Sequence, residues 1–180
     1  MKRILLPLTK DTIRKLKVGD EVLLTGRIYT ARDAAHKRIC ECIKGRKKLP
    51  IPLAGEIIYY CGPTPAMPGK AIGSCGPTTS KRMDSFTAPL LSKNLFGMIG
   101  KGDRSKEVES AIKKYHAVYF TACGGAGAYL AGKVKRSKVA AYKDLGPEAI
   151  HELWVEDFPV IVAIDSKGRN IYKLIEQGAA

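Results

Sequence analysis

The chain has 180 residues, of which 45% are hydrophobic and 27% are charged, and these values fit one globular domain with a core of its own. No apolar run approaches the roughly 20 residues of a membrane-spanning helix, and the basic start lacks the apolar stretch and cleavage site of a secretory leader. The formal net charge is +14, which fits a nucleic acid, a small anionic substrate, an acidic partner subunit or solubility alone. We predict a single cytoplasmic domain over residues 1–180.

Segments of strand and helix character alternate along the chain. β-Branched and aromatic residues predict strands over residues 4–8, 21–30, 56–60, 95–99, 117–121, 139–142 and 159–165. Helical periodicity and capping residues predict helices over residues 9–16, 31–40, 86–94, 106–115 and 148–153, with Ser105 as the N-cap of the fourth. Because the helices are short and the alternation is not strict, we predict a layered α/β domain with a mixed sheet.

The first candidate site lies where the strand over residues 21–30 runs into the next helix, in Thr30-Ala31-Arg32-Asp33-Ala34-Ala35-His36-Lys37-Arg38. Exposed N–H groups and the positive end of the helix dipole favour an anion at such a junction. Arg32 and Asp33 lie on its first turn, and His36 follows Arg32 by four residues on the same helical face. The plainer interpretation is that Asp33 only starts the helix and that His36 is a partly buried polar residue.

The densest group of reactive side chains lies in residues 73–84, Gly-Ser-Cys-Gly-Pro-Thr-Thr-Ser-Lys-Arg-Met-Asp. Just past a strand end, the hydroxyls and backbone N–H groups of this segment can form a concave anion site. Arg82 adds a planar fork that suits a carboxylate or a phosphate. Asp84 can orient that arginine. The alternative is a Ser/Thr-rich turn that caps the next helix from Ser85.

Two further patterns accompany this segment. The tetrapeptide Cys-Gly-Pro-Thr occurs at residues 61–64 and again at residues 75–78, which predicts two loops that face one pocket. Gly100-Lys101-Gly102 places a lysine between two glycines, so the backbone can approach a ligand closely while Lys101 supplies a positive charge. This motif lacks the spacing of a phosphate-binding P-loop, and a solvated lysine on a surface turn is the plain alternative.

Together, the motifs at residues 30–38, 76–84 and 100–102, in this order and in a chain of this size, resemble those of the β subunit of the iron–sulfur hydro-lyases, the class I fumarase and L-tartrate dehydratase family. The resemblance covers nearly the whole chain, including Glu156-Asp157-Phe158-Pro159 and Asp165. It implies a swivelling β/β/α domain. It also implies reversible removal of water from a small 2-hydroxy dicarboxylate, with fumarate/malate and tartrate both open as substrates.

The resemblance implies roles for individual residues. Arg32, Arg82 and Lys101 would bind the two carboxylates by charge-assisted hydrogen bonds, and Thr78 would remove the proton next to a carboxylate. A threonine hydroxyl is a weak base, so this role needs nearby positive charge and exclusion of water. The residues expected to support these groups are Asp33, His36, Gly76, Thr79 and Asp84.

The resemblance also implies a partner. In this family a separate α subunit, or an N-terminal domain in fused forms, carries three cysteines that hold a [4Fe–4S] cluster, and the general acid is expected there as well. The present chain has five cysteines, an odd number without Cys-x-x-Cys pairs, which indicates free thiols rather than a disulfide framework or a zinc site. Cys75 can line the pocket without binding iron. We therefore expect no metal ligand on this chain and a higher-order hetero-oligomer with the α subunit.

Two other functions compete with this interpretation. Residues 1–48 hold 14 Lys or Arg against 5 Asp or Glu, a bias that suits a basic nucleic-acid-binding module without catalytic activity. The basic stretches lack interleaved aromatic residues, however, and the sequence has no RNA-binding or helix-turn-helix signature. A third candidate is a thiol or nucleotide enzyme built on Cys123 and the glycine-rich turn after it. A dinucleotide-binding pattern requires a third small residue in this turn, but leucine stands at that position, Leu130, so the pattern is not matched.

Overall fold

The computed structural model describes residues 1–176 and residue 178. The strands are β1 (Lys2–Leu5), β2 (Glu21–Thr30), β3 (Ile57–Tyr59), β4 (Gly97–Gly100), β5 (Val118–Thr121), β6 (Val134–Ala141) and β7 (Ile150–Ile164). The α-helices are α1 (Lys10–Lys15), α2 (Asp33–Lys44), α3 (Asp84–Leu91), α4 (Lys106–Tyr115), α5 (Gly127–Gly132) and α6 (Ile171–Glu176). Two 3₁₀ helices, Ser80–Met83 and Lys143–Glu148, precede α3 and β7.

Five of the strands close into a barrel. Strands β1 to β5 are parallel and follow one another in sheet order. The long strand β7 runs antiparallel and pairs with β5 on one side and with β2 on the other, so that β2, β3, β4, β5 and β7 form a closed ring. β1 extends the sheet along the first half of β2, and β6 pairs with β7. These pairings confirm the predicted α/β class and mixed sheet.

Both faces of the barrel strands are buried, in two separate cores. Side chains alternate across a strand, so Ile57 and Tyr59 of β3 belong to one core, whereas Ile58 and the adjacent Tyr60 belong to the other. The first core draws residues from all five barrel strands and fills the barrel interior, and α1 and α5 contribute to it. The second core lies between the barrel wall and helices α2, α3 and α4. Burying a large apolar side chain contributes roughly 1.5–3 kcal/mol, so these two cores dominate the stability of the fold.

The helices begin where the sequence provides capping groups. The predicted N-cap of α4 is confirmed, since Ser105 Oγ accepts a hydrogen bond from Val108 N at 3.4 Å. That helix ends at Tyr115, and the C-cap residue His116 has a left-handed backbone with φ of 53°. Among the described residues the longest helix, α2, has 12 residues, and no helix is long and apolar enough to cross a membrane.

The predicted helix over residues 148–153 is wrong. From Ile150 onward this segment belongs to β7. Leu153 pairs with Ile28 of β2 on one edge and with Ser137 of β6 on the other, and such pairing across both edges overrides local helical propensity.

Two predicted strands have different bounds in the structure. The strand predicted over residues 139–142 is longer, because β6 lies at the edge of the sheet and its exposed Lys135 and Arg136 interrupt the apolar pattern. The strand predicted over residues 4–8 is displaced towards the N-terminus and ends before Pro7, which has no backbone N–H for the ladder.

We predict that Gly100→Ala destabilises the protein. Gly100 ends β4, and a Cβ atom there would overlap Ser80 Oγ and lie 2.8 Å from Cδ2 of Tyr60. Overpacking of this kind costs about 1–3 kcal/mol, which urea unfolding would measure as a lower free energy of unfolding. Gly132→Ala is the control, because apart from its chain neighbours and the backbone of its own helix no atom of the described residues lies within 4 Å of the added Cβ. Equal stability of the two variants would contradict the packing of the Ser80 segment against β4.

Candidate active site

The ends of the parallel strands bring the predicted site residues to one edge of the barrel. Strands β2, β3, β4 and β5 run in the same direction, so their carboxyl ends meet at this edge. Arg32 follows β2, Gly62 follows β3, Lys101 follows β4, and the turn at residues 123–125 follows β5. Ligands of α/β sheets bind outside the carboxyl ends of the strands, so this edge is the candidate active site.

The loop after β3 returns to the same edge and places the threonines there. Thr78 N donates a hydrogen bond to Tyr60 O at 2.7 Å, and Ser80 N donates to Lys101 O at 3.0 Å. Thr79 and Lys101 also pair as an isolated parallel bridge. Thr78 and Thr79 therefore lie between the ends of β3 and β4, beside Lys101. Thr78 is half-buried, whereas Thr79 and Lys101 are exposed.

An ion pair joins the first predicted motif to the second. Arg82 Nη2 lies 2.6 Å from Asp33 Oδ2, and both side chains are partly exposed. A guanidinium carries five N–H donors in a planar fork, so this bond orients Arg82 and leaves donors for another carboxylate. An exposed pair of this kind adds little to stability, and its effect is to fix the direction of the fork.

Arg32 is held by contacts on two sides. Its side chain lies over Gly62, where an added Cβ would come within 2.8 Å of Nη1 and 3.0 Å of Cδ. Its Nη2 lies 3.7 Å from Glu148 Oε1. The other oxygen of Glu148 accepts a hydrogen bond from Ala34 N at 2.9 Å, so one carboxylate both caps α2 and orients Arg32. Among the described residues, the buried Nε of Arg32 has no hydrogen-bond partner.

Glu148 was not predicted from the sequence. It lies 114 positions after Ala34 in the chain. The sequence predicts it at the start of a helix over residues 148–153, whereas in the structure it ends the 3₁₀ helix before β7. An acidic residue directly after Gly146-Pro147 was the only local signal, and it does not indicate which arginine lies opposite.

His36 supports Arg32 through the backbone. His36 Nδ1 lies 2.9 Å from Arg32 O, and because a carbonyl only accepts, Nδ1 carries the proton. The ring is buried and packs edge-on against Tyr60, with 5.3 Å between the ring centroids. Burial lowers the pKa of His36 to about 4, and the charge of Arg104 acts in the same direction. His36 is therefore neutral at neutral pH and positions the start of α2 without charge.

The structure places Asp84 on a different arginine from the one predicted. Asp84 Oδ1 accepts from Arg104 Nε at 2.7 Å, and Asp84 Oδ2 accepts from Ser105 N at 2.8 Å. Arg82 instead binds Asp33, because the 3₁₀ turn before α3 directs Arg82 towards α2. Asp84 thus anchors the segment that leads from Lys101 into α4.

Arg104 is the other residue that the sequence did not reveal. Its side chain is fully buried, and its guanidinium lies against the rings of Tyr60 and Tyr119, 5.4 and 5.0 Å from their centroids. Arg104 Nη2 also donates to Thr87 Oγ1 at 2.7 Å. As one basic residue among 31, it gave no signal in the sequence. In the structure it ties β3, β5 and α3 to the turn after Lys101.

Tyr119 connects the two turns at the edge. Burial raises the pKa of Tyr119, so the hydroxyl keeps its proton and donates to Gly102 O at 2.8 Å. The same hydroxyl lies 2.9 Å from Ser80 Oγ. It therefore holds the Gly-Lys-Gly turn against the segment that carries the threonines.

The two segments that carry Cys-Gly-Pro-Thr are hydrogen-bonded to each other next to the repeated tetrapeptides, and that both face one pocket stays a prediction. Thr64 N donates to Ser74 O at 3.0 Å, and Gly73 N donates to Thr64 O at 3.2 Å. Gly76 packs on the glycine-rich turn, since its Cβ would lie 3.5 Å from the Cα of Gly127. Cys75 is fully buried rather than open to the edge.

A buried thiol pair lies beneath these loops. A hydrogen bond with Cys75, together with burial, raises the pKa of Cys61, so Cys61 stays a thiol. The described residues contain no group of three or more His, Cys, Asp or Glu side chains that could hold a metal ion. These residues therefore offer no ligand set for an iron–sulfur cluster.

The site carries the motifs of a known family, and comparison with other proteins identifies it. The family model described as the fumarase C-terminus matches residues 1–175. The chain belongs to this family. It is 44% identical over 176 residues to a protein of Methanocaldococcus jannaschii provisionally named L(+)-tartrate dehydratase subunit beta, and this match covers 94% of the present chain and 90% of that protein.

Longer members of the family contain the same segment. The chain is 39% identical over 160 residues to the anaerobic class I fumarate hydratase of Escherichia coli, and 38% identical over 165 residues to fumarate hydratase 2 of Leishmania major. These matches cover 88% and 91% of the present chain but 29% of each longer protein. The relatives confirm the resemblance inferred from the motifs, and the enzymes named among them are hydro-lyases.

We predict that His36→Asn flattens the dependence of stability on pH in the acid range. The folded-state pKa of about 4 lies below the ordinary value of 6.5, so the unfolded chain binds more protons between these two values. The stabilising contribution of neutral His36 is complete above pH 6.5 and is lost as the pH falls towards 4. This shift corresponds to about 3 kcal/mol.

Asparagine keeps a donor near the position of Nδ1 but does not titrate. The measurement is the free energy of unfolding in urea at several pH values from 4 to 7. His116→Asn is the matched control, because His116 is exposed and its left-handed backbone suits asparagine. A pH profile of His36→Asn that is identical to that of the wild type would refute the buried neutral state.

Proposed function

We propose that this chain is the β component of a hydro-lyase that reversibly removes water from a small 2-hydroxy dicarboxylate. The observation that carries the proposal is the meeting of Arg32, Arg82, Lys101 and the Thr78 turn at one carboxyl edge of the barrel. The names of the relatives, fumarate hydratase and tartrate dehydratase, support it. The chain works with an α subunit in a cytoplasmic hetero-oligomer, and its domain swivels relative to that subunit.

The substrate class follows from the cationic groups. Two guanidinium forks and one ammonium suit two carboxylates, with charge-assisted hydrogen bonds to each. Asp33 orients Arg82 and Glu148 orients Arg32, so both forks are positioned before a ligand arrives. These groups bind the two carboxylates that fumarate, malate and tartrate have in common. The hydroxyl by which the substrates differ is contacted by the α subunit.

Thr78 is the base in this proposal. Its oxygen takes the proton from the carbon next to a carboxylate, while the α subunit supplies the acid that protonates the departing hydroxyl. The adjacent Lys101 and the nearby Arg82 provide the positive potential that a threonine oxygen needs for this role. The half-buried position of Thr78, fixed through its N–H to Tyr60 O, limits its contact with water.

The [4Fe–4S] cluster implied by the family resemblance belongs, in this proposal, to the α subunit. This assignment is supported by the lack of three or more clustered His, Cys, Asp or Glu side chains in the described part of this chain. The chain's own residues therefore bind the carboxylates, orient the carbon that loses its proton and hold that proton on Thr78.

We predict that Thr78→Ala abolishes most turnover. The chain is purified together with its α subunit, defined as the chain of the same genome that matches the remainder of class I fumarate hydratase, and the complex is assayed with fumarate and with tartrate. Loss of a general base lowers turnover by about 100-fold or more while substrate binding is largely kept. Thr79→Ala, on an exposed neighbour, has a milder effect. An inactive wild-type complex would refute the hydro-lyase, and equal, small effects of both variants would remove Thr78 as the base.

A second prediction concerns the arginine forks. Arg32→Lys and Arg82→Lys keep the charge but lose bidentate geometry, and one such contact contributes about 1.5–3 kcal/mol. The substrate concentration for half-saturation should therefore rise roughly tenfold to more than a hundredfold. Arg38→Lys is the matched control, since Arg38 lies on α2, the helix that Arg32 precedes, but binds Asp144 outside the site.

The same variants separate the hydro-lyase from a nucleic-acid-binding module. Phosphate contacts act mainly through charge, so Arg→Lys should leave DNA affinity and its salt dependence nearly unchanged. Tight, salt-dependent DNA binding together with unaltered saturation constants in both variants would favour the module.

A further inference from the structure

Helix α5 stands between three grooves on the surface. The first groove has a volume of about 510 Å³ and is lined mainly by apolar side chains of the β5 end, α5 and β7, together with Met1. The second, of about 350 Å³, lies on the other side of Tyr129, and the third, of about 460 Å³, lies between α5 and the loop at residues 67–74. We call the three grooves and α5 together the α5 surface.

The α5 surface exposes large apolar side chains. Eight such side chains are exposed in the described part of the chain, and four of them line these grooves: Met1, Met67, Tyr129 and Ile161. Tyr129 is 60% exposed, and its ring lies 5.3 Å from the ammonium of Lys133. Contiguous exposed apolar groups mark interaction sites, and three grooves beside the outer part of one short helix favour a protein over a small ligand.

The α5 surface is continuous with the candidate active site. Cys123 lines the first groove, and a Cβ on the next residue, Gly124, would lie 3.8 Å from Cδ of Lys101. On the other side, Gly127 at the start of α5 packs against Gly76, one residue after the buried Cys75. A protein that covers α5 therefore also borders the edge that carries Lys101 and Thr78.

We infer that the α5 surface is the docking site of the α subunit, an inference that rests on the proposed function. One relative is named a β subunit, and the segment makes up 29% of the longer relatives, so a second, larger body of protein accompanies this domain in the family. Met1 lines the first groove. In this inference the α subunit covers the first groove, and Tyr129 is the aromatic anchor that it buries.

The test is a binding measurement with the α subunit defined above. Titration calorimetry compares the wild-type chain with Tyr129→Glu and Trp154→Glu. The first variant places a charge in the groove, and loss of a buried aromatic anchor weakens binding by about tenfold or more. Trp154→Glu is the matched control, because Trp154 is also an exposed aromatic residue but stacks on Arg136 outside the three grooves. It should bind like the wild type, and both variants should keep the wild-type melting temperature.

The outcomes separate the inference from the proposed function. If the wild type does not bind the α subunit, the two-subunit proposal fails and the docking site fails with it. If wild type and Tyr129→Glu bind equally, or if Trp154→Glu weakens binding as much, only the docking site is refuted. If the chain alone forms a dimer that Tyr129→Glu dissociates, the occupant is a second copy and the inference is overturned.

Discussion

The pairing of β7 with both β2 and β5 is the constraint on which the rest of the structure depends. Without it, β2 to β5 would form an open parallel sheet with Arg32 near one edge. Closure curves that sheet, so the loops after four strands surround one end of a barrel. Residues from Arg32 to the turn at 123–125 then border one site, although the chain between them is long. The order and pairing of the strands are therefore enough to bring the loops of the candidate active site together.

Within that ring, carboxylates of the chain itself hold each site arginine. Asp33 binds Arg82, Glu148 lies beside Arg32, and the buried Arg104 is bound by Asp84. The first two pairs are partly exposed and contribute little to folding, so their effect is on orientation. Arg104 differs, because a fully buried charge that lost Asp84 would be strongly destabilising. The buried pair of Arg104 and Asp84 thus fixes the turn after Lys101, and the two exposed pairs orient the guanidinium groups of Arg32 and Arg82.

Site residues that stand in a recognisable local motif could be predicted from the sequence. Site residues that depend on a partner far along the chain could not. Arg32 and Lys101 stand in local motifs that directly follow strands, so the rule that sites lie at strand ends brings these two together. The motif of Arg82 was expected just past a strand end but lies in a loop that returns to the edge through Thr78 N and Ser80 N. Glu148 and Arg104 have no such motif, because their contacts depend on how β7 and α3 pack. The helix wrongly predicted over residues 148–153 has the same cause, since pairing with β2 and β6 decides its conformation. The contact predicted for Asp84 differs because the chain turns between it and Arg82.

Several of the site residues are exposed to solvent in this chain. Lys101 and Thr79 are open to solvent, and Arg82 keeps 47% of its side-chain surface exposed. In water, charges a few ångströms apart interact with only about 1 kcal/mol, and a threonine oxygen stays protonated. Proton removal by Thr78 needs the same groups in a dry environment, where their interactions are several times stronger. The proposed chemistry therefore requires a second surface over this edge, and the apolar α5 surface beside Lys101 is where such a cover can be held.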